Sequence, residues 1–260
     1  MSDIDQSRVV ELRQEGASQE ALSVLEQLFK NAELAVAPTR PDIFMTMFQL
    51  QQLAEQYEPA RVFLRNIRDA QAELLLAGDI HFGLDGDPAV KEYRRIQRFS
   101  LIVEINHILK DDASTCEVFS RLDSGHTELA RRYAWTALPA LVAQGHFELA
   151  DRYRDDPLKL LEAVNKNALA LPLYPPPQGA PRLAAELSSL VHDVHIGMAV
   201  LRGMGNSDQA DALRAALVAG LDSDELKALA QRELDVPGTI TRELGDRQVA
   251  QEAADAQPPG

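Results

Sequence analysis

Apolar residues recur along this chain at helical spacing, and the punctuation between them divides it into helices. Residues 5–16 read as a short first helix closed by Gly16, with Ser18 placed to cap the next. Ala21, Val24, Leu25, Leu28 and Phe29 then repeat on one face as far as Ala35. Pro38 and Pro41 mark a connector, because neither fits a helix interior. From Asp42, Ile43, Met47, Leu50, Ala54 and Tyr57 line one face, and Phe44, Phe48 and Leu53 widen it. So broad an apolar face predicts a helix packed on both sides. Glu58-Pro59 opens a helix ending at Gly78, and Asp87-Pro88 opens one predicted to run to Lys110. The latter's second half, FSLIVEINHIL, is apolar nearly all round and belongs inside. Asp111-Asp112 stops it, and a short helix follows near 116–122. Pro139 predicts a kink or break in the next. Asp156-Pro157 starts a helix toward Leu169, and further helices span 182–203, 207–220 and 223–234.

One stretch repeats. Residues 125–133, GHTELARRY, and 145–153, GHFELADRY, agree at seven of nine positions. The pattern Gly-x-x-x-x-Ala recurs at Gly16…Ala21 and Gly205…Ala210. Glycine closes a helix in the left-handed conformation. The alanine falls on the first turn of the next helix, where a small side chain lets helices approach.

Trp135, Leu138, Gly145, Phe147 and Ala150 carry a resemblance to the tetratricopeptide repeat (TPR), a helix-turn-helix unit of about 34 residues. They stand where that family places its large aromatic, leucine, turn glycine, turn aromatic and small residue. The departures are Pro139 for a glycine, Val142 for a tyrosine and Glu162 for the closing proline. Glycine spacings of 109, 20 and 60 residues are not multiples of 34. The resemblance implies an all-α fold of antiparallel helical hairpins stacked as a short, degenerate TPR-like solenoid over residues 1–171. A Pro-rich connector at 172–181 and a helical cap at 182–235 follow. The polar stretch 236–260 is expected to be disordered.

Charge narrows the function. With 26 basic and 40 acidic residues the net charge is −14, which opposes nucleic-acid binding. A single cysteine, Cys116, excludes an internal disulfide framework and reads as a small core residue. No apolar run approaches the roughly 18 residues of a membrane span, and the N-terminus lacks a secretory h-region. A soluble cytoplasmic protein with no membrane partner is expected.

Candidate sites are few. Residues 58–110 carry 8 basic and 8 acidic residues, against 4 and 9 in residues 1–57. Arg61, Arg65 and Arg68 fall on one predicted helix face, and Lys91, Arg94, Arg95 and Arg98 on a face of the next. Aligned, they would make one basic patch suited to a partner's carboxylates. The alternative is a solvated face paired with Glu58, Asp69 and Glu92. His192 and His195 are the one histidine pair on a predicted helix; as a metal site they need a third ligand, for which Glu186 is a candidate. Asp79, Asp85 and Asp87 lack the register of a calcium loop. No phosphate loop follows a strand and no Gly-x-Ser-x-Gly occurs, so no cofactor is implied.

The expectation is a protein-interaction module (scaffold, adaptor or chaperone-like) that binds a protein or peptide, with the oligomeric state open. The alternatives are a helical metal-dependent enzyme using His192 and His195, and an acidic immunity-type protein that neutralises a basic partner.

Overall fold

A computed structural model describes residues 3–86, 92–175 and 179–255. Among them are thirteen α-helices and no strand; extended pairing is limited to isolated bridges. The all-α expectation holds. The chain divides into two compact units, Met1–Gln144 and Gly145–Gly260.

The first unit contains α1 (Asp3–Gln14), α2 (Ser18–Glu33), α3 (Arg40–Ala54), α4 (Glu58–Leu76), α5 (Arg98–Leu109), α6 (Asp112–Gly125) and α7 (Thr127–Ala143). Each helix packs on the next in sequence, and α1 touches α3, α3 touches α5 and α5 touches α7. Short turns explain the adjacency. Gly16 takes φ +77°, and Ala17 N donates to Leu12 O at 2.8 Å, closing α1. Asp42 fixes the start of α3, its carboxylate accepting from the Thr39 amide and hydroxyl at 2.7 and 2.8 Å. Inside, Val9, Leu25, Ile43, Leu50, Leu64 and Ile105 are wholly buried. The Phe29 ring meets those of Phe63 and Phe82, and Phe99 stacks on Tyr133 at 5.0 Å.

The second unit contains α8 (Phe147–Tyr153), α9 (Leu161–Ala168), α10 (Arg182–Gly203), α11 (Ser207–Gly220), α12 (Asp224–Asp235) and α13 (Thr239–Asp255). The 22-residue α10 is its axis, packing on α8, α9, α11 and α12. Glycines set how close that packing comes. A Cβ on Gly203 would lie 2.3 Å from the Phe147 ring, and one on Gly220 would lie 2.5 Å from a Leu161 methyl.

The glycine–alanine pattern has the predicted consequence: Ala21, Ala130, Ala150 and Ala210 are all completely buried. The repeated nonapeptide, however, does not make the same turn twice. Gly145 is left-handed, whereas Gly125 ends α6 without a positive φ. What the copies share is a histidine, His126 or His146, at the N-cap of the following helix.

Several expectations are corrected. The fifth helix begins at Arg98, not Pro88; residues 92–97 form a 3-10 turn and bridges to Thr39 and His81. The Asp87-Pro88 start lies outside the described residues. The helix predicted from Pro157 begins at Leu161, after a turn in which Leu158 N donates to Asp156 Oδ1 at 2.9 Å. Helix α7 runs unbroken through Pro139. Residues 239–255 are helical, not disordered: Ile240 is buried, Tyr174 Oη donates to Glu243 at 2.9 Å, and Arg247 stacks on the Tyr174 ring. Phe44 and Phe48 do not widen the buried face of α3; they are 51% and 44% exposed, because α3 is covered on one side only. Trp135, at the position of the family's large aromatic, is 61% exposed. The five residues of the TPR resemblance fall on both sides of the division at Gln144.

The glycine contacts give a test. Alanine favours a helix over glycine by about 1 kcal/mol. Overpacking costs about 1–3 kcal/mol. Gly203→Ala, against a rigid ring, should therefore lower stability in urea denaturation. Gly125→Ala, with no atom within 4 Å of the new methyl, should not.

Candidate functional site

Of the seven basic residues that helix periodicity assigns to two faces, six lie among the described residues, and those of the second stripe do not share one helix. Arg61, Arg65 and Arg68 do lie on α4. Arg61 pairs with Glu58 and donates to Leu109 O at 3.0 Å, and Arg65 reaches Glu58 at 2.6 Å. Arg94 and Arg95 precede α5; Arg94 packs over Tyr93 and Arg95 pairs with Asp85. Lys91 lies outside the described residues. Arg98, predicted to be on the surface, is 2% exposed.

The Arg98 side chain organises the α4–α5 connection. It donates to Gln71 Oε1, to Asp79 Oδ2 at 2.6 Å, to Asp79 O at 2.9 Å and to His81 O. Its own amide donates to Ile80 O, and Phe82 N donates to Ile96 O. Gln71 in turn donates to Glu33 on α2. Burial pushes the Arg98 guanidinium down from its ordinary value, and the nearby Asp79 opposes that shift. Arginine stays charged, so each donor needs an acceptor, and the loop backbone supplies two.

Arg68 serves a second internal network. It donates to Asp111 Oδ2 at 2.6 Å, Ser114 Oγ at 2.9 Å and Asn106 Oδ1 at 3.2 Å. Asp111 also caps α6 by accepting from Ser114 N at 3.1 Å. Burial alone would raise the Asp111 carboxyl, but the bonds from Ser114 and Arg68 hold it below the usual carboxylate range. Arg61, Arg65, Arg68, Arg95 and Arg98 thus bind oxygens of their own chain.

The histidine pair sits on α10, His192 half-buried and His195 exposed. Partial burial, then His192 and Arg202, keep the His195 imidazole below its ordinary pKa. Glu186 is not a third ligand: it accepts from Asn167 at 2.6 Å and Arg182 at 3.0 Å. Among the described residues no group of three or more His, Cys, Asp or Glu is placed to hold a metal ion. Cys116 is buried, and burial together with Asp112 pushes its thiol up to about 11, so it is not a ready nucleophile. An open groove beside α6 contains Ser120, Arg121, Ser124 and His126. These four side chains already bond to Cys116 O, Glu73, Ser120 O and Leu76 O.

What remains is a surface on α3, two of whose residues, Phe44 and Phe48, the periodicity assigns to the buried face. Phe44, Met45 and Phe48 stand exposed on α3, at 51%, 38% and 44%. The opposite face of α3 fixes them there: Ile43, Met47 and Leu50 are buried, and Gln6 and Arg13 of α1 bond to Thr46 and Gln49. At the N-terminal end, Arg40 forms a two-pronged pair with Glu104 of α5. Sequence alone carried a usable sign here, since three large apolar residues beyond an already complete stripe exceed what one packed face needs.

Two predictions follow from the networks. Removing one member of a buried charge pair costs about 3–5 kcal/mol. Arg98→Ala should approach that loss, whereas Arg65→Ala, in an exposed pair, should stay within about 1 kcal/mol. Asp111 has a lowered folded pKa, so its contribution is complete above the ordinary carboxylate pKa of about 3.9. It is lost as pH falls through the folded value. The stability difference between wild type and Asp111→Asn, followed by denaturation from neutral to acid pH, should shrink in that window.

Among the described residues no helix is long and apolar enough to cross a membrane. No known protein family, curated protein or solved structure matches the chain.

Proposed function

We propose that this chain is a protein-interaction module, a short TPR-like solenoid that binds a partner protein or peptide through α3. The observation that carries the reading is the exposed Phe44, Met45 and Phe48 on a helix otherwise held rigidly by its neighbours. The succession α1, α3, α5, α7, each touching the next, supports a stacked array in which alternate helices share one layer. Such a layer offers a fixed surface without rearrangement, and large apolar side chains serve as anchors for association. Arg61, Arg65, Arg68, Arg95 and Arg98, the candidates for an acidic partner segment, are bonded to Glu58, Asp111, Asp85 and Asp79 of their own chain.

The test compares affinity capture from native lysate by wild type and by Phe44→Ser/Phe48→Ser. Both positions are exposed, so the thermal melt should be unchanged. Polypeptides retained by wild type should be missing from the variant. Identical retention by both proteins would remove α3 as the binding face.

A further inference from the structure

We infer that the α3 face receives a short amphipathic segment of a partner protein whose apolar side chains are flanked by lysine or arginine. The inference rests on the interaction-module reading and names its partner class. Size and charge carry it.

The exposed parts of Phe44, Met45 and Phe48 amount to about 250 Å² of apolar surface. A stable interface between folded proteins needs about 800 Å² per partner. The face is therefore too small to be the core of a dimer but fits two or three side chains of one helical turn or extended strand.

Charge then selects the segment. The first 57 residues carry 4 basic and 9 acidic side chains. Near the face the cations are engaged: Arg8 with Glu11, Arg13 with Gln49 and Arg40 with Glu104. Exposed acids remain at the other end. Glu55 lies seven residues past Phe48, on the same side of α3, and Glu15 follows the end of α1, two residues beyond the Arg13 that reaches Gln49. A second copy would bring a net −14 against −14. A basic flank instead meets Glu15 and Glu55, and the long-range field steers it in.

The probe is a synthetic amphipathic helix of leucine and lysine, with its leucine–glutamate counterpart, titrated calorimetrically into the full chain. The leucine–lysine peptide should saturate at one per chain. Phe44→Asp/Phe48→Asp should weaken it by about tenfold or more. Those substitutions add negative charge, so attraction by charge alone would tighten binding instead. Val62→Asp, which adds one charge at an exposed site on α4, should not weaken it. Glu15→Gln/Glu55→Gln should weaken it less, and chiefly at low salt. If the leucine–glutamate peptide binds equally well and is lost with the phenylalanines, the basic-partner inference falls while the α3 reading stands. If the phenylalanine changes leave the leucine–lysine peptide's affinity intact, both fall. A concentration-dependent dimer, or adsorption to neutral lipid vesicles, abolished by the same two changes would also overturn the inference in favour of a second copy or a lipid surface.

Discussion

The guanidinium of Arg98 is the fixed point of the first unit. A charge this deeply buried is tolerated only when every donor is matched, and four of its bonds run to oxygens of Gln71, Asp79 and His81. That demand shapes the long connection between α4 and α5. The loop must present the Asp79 and His81 carbonyls inward, which sets residues 79–82 beside the start of α5. From there Phe82 is carried into the core against Phe29, and Leu84 reaches the α2–α3 connector through paired backbone bonds with Ala35 and Ala37. Gly83 belongs to the same arrangement: a Cβ there would lie 2.2 Å from Pro38. One charge thereby ties α2, α4 and α5 together across the connection that follows α4.

The same economy of cations explains the surface. Arg68 and Arg98 are spent on internal bonds, and Arg40, Arg61, Arg65 and Arg95 face acids of their own chain. A surplus of 14 negative charges then has no internal counterpart. Acidic surface alone carries no specificity, because exposed pairs are weak and screened. Specificity needs a shaped apolar contact, and in the proposed reading α3 supplies it.

Much of the fold was legible because helix ends are chemically marked. Proline, glycine and capping acids fixed the starts or stops of α3, α4 and α10 to α12, and the fully buried Ala21, Ala130, Ala150 and Ala210 were visible as small residues after a glycine. The failures share a cause, which is that periodicity reports a face and not its neighbour. Arg98 lies at helical spacing from Arg94 and Arg95, yet the carbonyls that draw it inward belong to residues 17 and 19 positions earlier. Phe44 and Phe48 looked like core because nothing local says that α3 is covered on only one side. Trp135 matched a family position whose burial depends on a neighbour that the spacing cannot supply. Polar α13 has almost no stripe, and it is held by Ile240 and by the Tyr174, Arg232 and Glu243 cluster, contacts made with segments distant in sequence.

These misplacements have a common direction that bears on function. Arg68 and Arg98, expected outside, are engaged in internal bonds, and Phe44 and Phe48, expected inside, are exposed. The candidate surface therefore changes from one that would attract carboxylates to one that is apolar at its centre and acidic at its margin. Apolar contact supplies affinity at short range, and the acidic rim acts at longer range on approach and orientation. A rigid helix loses little conformational freedom when such a contact forms, since α3 is already fixed by α1, α2, α4 and α5. The internal use of arginine and the exposure of phenylalanine are thus two sides of one arrangement: the first builds the frame that holds α3 still, and the second gives that frame something to present.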